Sequence, residues 1–210
     1  MPLIAAGVCR RHGKRKGSAV SEKITTCLWF DSQAEEAAEY YVSIFDGGKI
    51  LDVSRYGDGG PGPAGQAITV QFLLDGRTFT ALNGGPAFTF NEAVSFVIDC
   101  ASQEEVDRYW SALTDGGQES QCGWLKDRYG VSWQVVPAVL GQLLAGPDPD
   151  GAQRAMQAML AMRKLDIAAL QRPTTAHDAP GPRGPGGTPV RDPGRRGPPA
   201  QGLSAHMIVA

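Results

Sequence analysis

The chain has 210 residues, 42% of them hydrophobic, and a formal net charge of -2. That length holds one domain of ordinary size with extensions, the apolar fraction suffices for a core, and the balanced charge offers no broad basic face for nucleic acid. Apolar runs fall far short of the ~20 residues that cross a bilayer. The opening order, a short apolar stretch (Leu3 to Val8) and then a basic run (Arg10 to Lys16), reverses that of a secretory signal, so a cytoplasmic protein is expected. Cys9, Cys27, Cys100 and Cys122 form no CxxC pair, and three of them lie in or beside apolar segments. Reduced, buried thiols are therefore expected.

Residues 1–22 lack a hydrophobic pattern and read as a disordered extension whose basic run is solvated rather than a nucleic-acid or lipid contact. A β-rich run, Ile24 to Phe30, then leads to Ser32 as a helix cap with acids in the first turn. The helix after it buries Ala34, Ala37, Ala38, Tyr41, Ile44 and Phe45, a spacing near 3.6 residues, and stops at Gly47-Gly48. Strands are expected at Ile50–Tyr56, Ala67–Leu74 and Arg77–Leu82, with Asp75-Gly76 as a two-residue hairpin turn. The glycine-rich loop at Gly57 precedes a strand rather than a helix, so it is no phosphate cradle.

The pattern then recurs. A strand (Ala93 to Asp99), a capping Ser102, a helix burying Val106, Tyr109, Trp110 and Leu113, and a stop at Gly116-Gly117 repeat the first series. Glu35-Glu36 answers Glu104-Glu105, and Tyr40-Tyr41 answers Tyr109-Trp110, at one spacing throughout, which points to a duplicated supersecondary unit. Further strands are expected near Gln118, at Gly123–Lys126 and at Ser132–Val136, with Lys126-Asp127-Arg128 making a charged hairpin turn. Asp148 to Gly151 lacks the far acid of a calcium loop and reads as a turn and cap. A closing helix from Asp150 to Gln171 docks Met156, Met159, Leu160 and Leu170. Beyond it, residues 172–210 are dense in proline and glycine and read as a disordered tail. The predicted fold is α+β: two βαβββ units over 23–171 forming a curved mixed sheet with a concave cleft, plus a C-terminal helix.

Particular strings within this repeat carry a resemblance. CLWFDSQAEEAAEYYVSIF at Cys27, FTALNGGPAFTFNEAVSFVIDC at Phe79, CGWLKDRYGVSWQVVP at Cys122 and MLAMRKLDIAALQ at Met159 resemble the vicinal-oxygen-chelate (glyoxalase/bleomycin-resistance) superfamily, specifically its PhnB-like branch. That branch is also labelled 3-demethylubiquinone-9 3-methyltransferase. The resemblance implies a homodimer with a small-molecule ligand, and it implies metal-ligand positions near Thr26, Asn83, Ala93 and Gln134. Threonine and alanine are poor ligands for zinc, iron or nickel. His12, His177 and His206 lie in the extensions, which leaves the core without imidazole. The expectation is a protein with no catalytic metal, no cofactor, and no membrane or nucleic-acid partner.

The family pattern sets Glu92 at the cleft edge, where aromatic neighbours (Trp29, Phe88, Phe90) would raise its pKa and make it a candidate base. Trp29, Trp124, Asn83, Asn91 and Gln134 are the candidate ligand-binding residues, apolar walls with a few orienting amides. Trp133 is expected to face away from Gln134 and pack as core. Asn83, Glu92 and Gln134 are expected to converge on the concave face. Cys122 reads as a buried structural thiol, since no core histidine would activate it. Two functions follow: a metal-independent binding protein for an aromatic or amphipathic molecule, and an isomerase or lyase using Glu92. Methyl transfer gains no support, since no glycine-rich strand-to-helix segment is present for a nucleotide-like cofactor.

Overall fold

The computed structural model describes residues 23–172. The expectations for both extensions, their histidines and Cys9 lie outside the described residues. The first unit runs β1 (Thr26–Phe30), α1 (Ala34–Ile44), β2 (Lys49–Arg55), β3 (Ala67–Leu74) and β4 (Arg77–Asn83). The second runs β5 (Ser95–Cys100), α2 (Gln103–Thr114), β6 (Gln118–Glu119), β7 (Trp124–Lys126) and β8 (Ser132–Pro137). Each unit forms its own four-stranded mixed sheet, ordered β1-β4-β3-β2 and β5-β8-β7-β6. In each, the first strand pairs in parallel with the last, so the duplication holds in topology as well as in sequence.

Strand alternation gives each sheet a face covered by its own helix. The opposite face is open in the first unit and, in the second, partly covered by the closing segment, against which Trp124 and Val136 pack. Leu28, Phe30, Val70, Phe72, Phe79 and Ala81 are buried beneath α1, whose Ala34, Ala37 and Ala38 are small enough to let it lie close on the sheet. Trp133, Val135 and Leu125 are buried on the covered face of the second sheet beside Val106, Trp110 and Leu113 of α2. Both covered faces turn inward onto a single core. Tyr41 of α1 and Phe45, just past its end, pack against Trp133 with ring centroids 5.6 and 5.5 Å apart, and Phe79 meets Phe96 at 5.4 Å. The faces opposite α1 and α2 consequently point away from each other.

The turn at Asp75-Gly76 has positive φ at both residues, 42° and 75°, which is the hairpin geometry that this pair favours. The helix caps depart from expectation in one unit. Ser102 caps α2 as predicted, accepting from the Glu105 N–H, while the Glu105 carboxylate reaches back to the Ala101 N–H. Ser32 makes no such bond; Gln33 holds the cap position of α1 without a side-chain bond. The missing acceptor arrives from the far end of the unit, where Asn83 Oδ1 accepts from Ala34 N–H at 2.8 Å.

Asp127 corrects the reading of Lys126-Asp127-Arg128 as a plain charged turn. Its side chain is buried, 3% exposed, because the alternation that buries Leu125 continues one step beyond β7. Oδ2 accepts from Tyr41 Oη at 2.8 Å and Trp133 Nε1 at 2.9 Å, and Oδ1 accepts from the Tyr129 and Val131 amides. One carboxylate thus ties α1 of the first unit to β8 of the second.

An unpredicted helix, α3 (Val139–Ala145), follows β8, and the single closing helix is instead two, α4 (Pro149–Ala161) and α5 (Ile167–Leu170). Asp148 rather than Asp150 holds the cap position of α4, because Pro149 fits the first helical turn where no N–H is needed. The helix breaks after Ala161 because its successors bond across to the second unit, Cys122 N–H to Met162 O and Gly123 N–H to Arg163 O. Leu165 and Met159 are then fully buried with Cys122, whereas Leu160, expected to dock, is 59% exposed. Cys100 and Cys122 are buried free thiols, but Cys27 is exposed on the open face of β1, the direction opposite to Leu28.

Candidate functional site

The open face of the second sheet gathers several of the predicted residues. Gln134 faces away from buried Trp133 and donates from Nε2 to Ser95 Oγ at 2.8 Å. Trp124 is its register partner on β7, half-buried on the same face because it packs against the closing-helix cluster. A small cavity of about 160 Å³ beside them is lined by Glu92, Gln118, Trp124, Lys126 and Ser132, among others. Asn91 lies at its margin. Its Oδ1 accepts from Ala93 N–H in a tight turn, and its carbonyl accepts from Ser132 Oγ at 3.5 Å.

Glu92 differs from expectation. Its side chain is 62% exposed and paired with Lys126 Nζ, so it is not desolvated by aromatic neighbours. The Lys126 hydrogen bond holds its carboxyl below the usual value, the reverse of the predicted rise. Lys126 is the site residue that sequence reading missed. Period-2 alternation from Trp124 puts Lys126 on the open face and Asp127 beneath it, a signal hidden when the three charges are read together as a turn.

Trp29 sits on the other unit. It lies on the open face of β1 and donates from Nε1 to Gly85 O at 2.8 Å, with the Phe88 ring edge-on at 5.0 Å. Gly84 is pressed against the indole; a Cβ there would fall 2.2 Å from its ring atoms. Asn83, next to this glycine, shares the covered face with Phe79 and Ala81, and its amide is engaged at both ends: Oδ1 by Ala34 N–H and Nδ2 by Ala67 O. The structure therefore groups Glu92, Asn91, Trp124 and Gln134, places Trp29 on a face turned away from them, and removes Asn83 from the open surface.

A metal centre at the superfamily's positions does not fit these side chains. Thr26 and Ala93 offer no good donor, and the two amides are bonded to other groups. Among the described residues no cluster of three or more His, Cys, Asp or Glu side chains is arranged to hold a metal. A larger groove, about 740 Å³, opens between the units along β5, and none of the six candidate residues lines it.

Two βαβββ units, each with parallel outer strands and an open face, define a vicinal-oxygen-chelate fold. The chain belongs to the 3-demethylubiquinone-9 3-methyltransferase family, the PhnB-like branch, whose family model matches residues 22–136. The PhnB protein from Bacillus cereus is 38% identical, with a TM-score of 0.53, and the match covers 56% of this chain and 100% of that one. Protein PA1353 from Pseudomonas aeruginosa is 24% identical with a TM-score of 0.46, the match covering 54% of this chain and 96% of that one. The fosfomycin resistance protein FosX from Listeria monocytogenes, solved with Mn(II) and a sulfate ion, is 14% identical with a TM-score of 0.39, the match covering 57% and 91%. No curated protein matches the chain. No helix among the described residues is long and apolar enough to cross a membrane.

Proposed function

We propose that this protein binds a small aromatic or amphipathic molecule, without a resident catalytic metal, in a cleft completed by a second copy of the chain. The carrying observation is that its aromatic groups lie on different sheets, Trp29 with Phe88 on the open face of the first and Trp124 beside Gln134 at the margin of the closing helices on the second. The cavity on the second sheet measures about 160 Å³, well below the roughly 300–1,000 Å³ of a small-molecule site. Setting the first unit of one copy against the second unit of another gives the ligand two walls, with Gln134 and Ser95 as hydrogen-bonding groups and Lys126 as a cation.

The enzyme alternative assigns Glu92 the part of a base in an isomerase or lyase reaction. Its pairing with Lys126 makes it a weaker base than a buried carboxylate, which favours the binding reading. Methyl transfer is not proposed, for want of a glycine-rich strand-to-helix segment.

A thermal-shift screen of metabolites with and without divalent ions tests this reading. A ligand at 100 times its Kd adds about 2.7 kcal/mol of stability. Hits are expected to be aromatic or amphipathic, indifferent to chelator, and lost in both Trp29→Ala and Trp124→Ala. Light scattering is expected to give a dimer mass. A monomer at tens of micromolar, or hits that need a divalent ion, would overturn the reading. Glu92→Gln separates the alternatives, abolishing turnover in an enzyme but only weakening affinity in a binding protein.

A further inference from the structure

The open face of the first sheet is polar without being charged. Its two central strands, β3 and β4, present Thr69, Gln71, Leu73, Thr78, Thr80 and Leu82 there, all half-buried. A sheet face built only for water carries Lys, Glu and other charged side chains, the types most often exposed. Here charge is confined to the outer strand β2, where Asp52 and Lys49 are the register partners of Gln71 and Leu73.

Strand pairing sorts the face into rows. Trp29, Leu82, Thr69 and Ser54 are successive partners across β1, β4, β3 and β2, and Cys27, Thr80, Gln71 and Asp52 form the next row. The rows differ in what they leave free. Trp29 commits its only donor to Gly85 O, and Gly84 is pressed against its ring, so the indole stands as a fixed apolar plate beside Leu82. Thr80 and Gln71 make no side-chain hydrogen bond to another described residue, and their polar atoms are open to solvent. A hydroxyl and an amide both donate and accept, which suits a partner group that does the same.

Charge narrows the class further. The one charge in the second row is Asp52, exposed and without an ion pair among the described residues, and it opposes an anion. An amine gains little there, because an exposed carboxylate attracts weakly through water. A second copy laid flat on this face would cover the hydroxyls and the amide with side chains that leave them unpaired. We propose, resting on the ligand cleft inferred above, that its first-unit wall selects neutral oxygenated aromatics: a ring against Trp29 and Leu82, and a carbonyl, amide or hydroxyl group held by Thr80 and Gln71. Residues two apart on a strand set that group about 7 Å from the ring.

Three probes test the class by NMR titration of the full-length protein: 3-phenylpropanamide, its charged counterpart 3-phenylpropanoate, and butanamide, which lacks the ring. The first is expected to bind on the order of tenfold more tightly than either of the others. Thr80→Val combined with Gln71→Leu is expected to weaken it by a similar factor, and Trp29→Ala to abolish its binding. If 3-phenylpropanoate binds as tightly as the amide and both are lost in Trp29→Ala, the substrate class is overturned while the cleft stands. Amide affinity unchanged in the double variant overturns the class in the same way. Saturable binding by none of the three, or binding indifferent to Trp29→Ala, overturns both. A subunit mass that changes in the double variant by light scattering assigns the face to a second copy and overturns the class. The comparison of probes in the natural chain stands whether or not the variants fold.

Discussion

Asp127 accepts hydrogen bonds from two side chains and two amides, all within a buried pocket at the junction of the units. Burial raises its carboxyl above the ordinary 3.8, and the bonds from Trp133, Tyr41 and the two amides act against that rise. Removing the side chain leaves Tyr41 and Trp133 with buried unpaired donors, so Asp127→Ala is expected to cost about 3–5 kcal/mol in urea unfolding. The pH dependence has a definite sign. Between the ordinary carboxylate value and the raised folded value, the native state holds more protons than the unfolded one. Stability from this residue therefore falls as pH rises through that window and is level above it. Glu35, held low by its hydrogen bond from Arg55, works in the opposite direction, losing its contribution as pH falls. Subtracting an Asp127→Asn series from the natural one isolates the Asp127 limb: the variant's stability relative to the natural protein should improve as pH rises through the window. A difference that stays constant across it would contradict the raised value.

At the scale of elements, the closing segment is attached by backbone rather than by a continuous helix. Gly123 has φ of +85° and donates its N–H to Arg163 O, and a Cβ at this position would lie 2.7 Å from Val135 O. Gly123→Ala is expected to destabilise by about 2–4 kcal/mol and to release α4 and α5 toward proteolysis before the sheets. Limited digestion cutting first within the sheets would contradict that order. Most elements were legible in the sequence because their signals are local. The limits of β3 and the Asp75-Gly76 turn follow directly from alternation and turn chemistry, and the duplicated helices from their spacing. What escaped depends on partners distant in sequence. The break between α4 and α5 depends on Cys122 and Gly123, and α3 had no cap or flanking charge to announce it. The site was less legible for the same reason: Asn83 is chemically a fine ligand residue, and only the fold shows it bonded to Ala34 and Ala67.

At the scale of the whole molecule, the last described helix already buries Leu170 against the closing cluster. Removal of residues 173–210 is expected to leave the melting temperature within a few degrees, since a proline- and glycine-rich segment has little apolar area to contribute. A larger drop in a thermal melt would mean that this segment packs on the domain. The helices of the two units nevertheless differ in how soon they can be secured. Helix α2 is capped by Ser102, three residues from its donor, whereas α1 waits for Asn83, 49 residues away. A contact across that separation carries a larger loop-closure cost. The duplicated halves should therefore fold on different schedules, with α2 securing its start while α1 still lacks β4. In chevron measurements, Ser102→Ala is expected to slow folding, with a φ-value well above that of Asn83→Ala, which should chiefly speed unfolding. Equal φ-values would mean that both halves condense together. With the expected inequality, a repeat symmetric in its strand order is asymmetric in time.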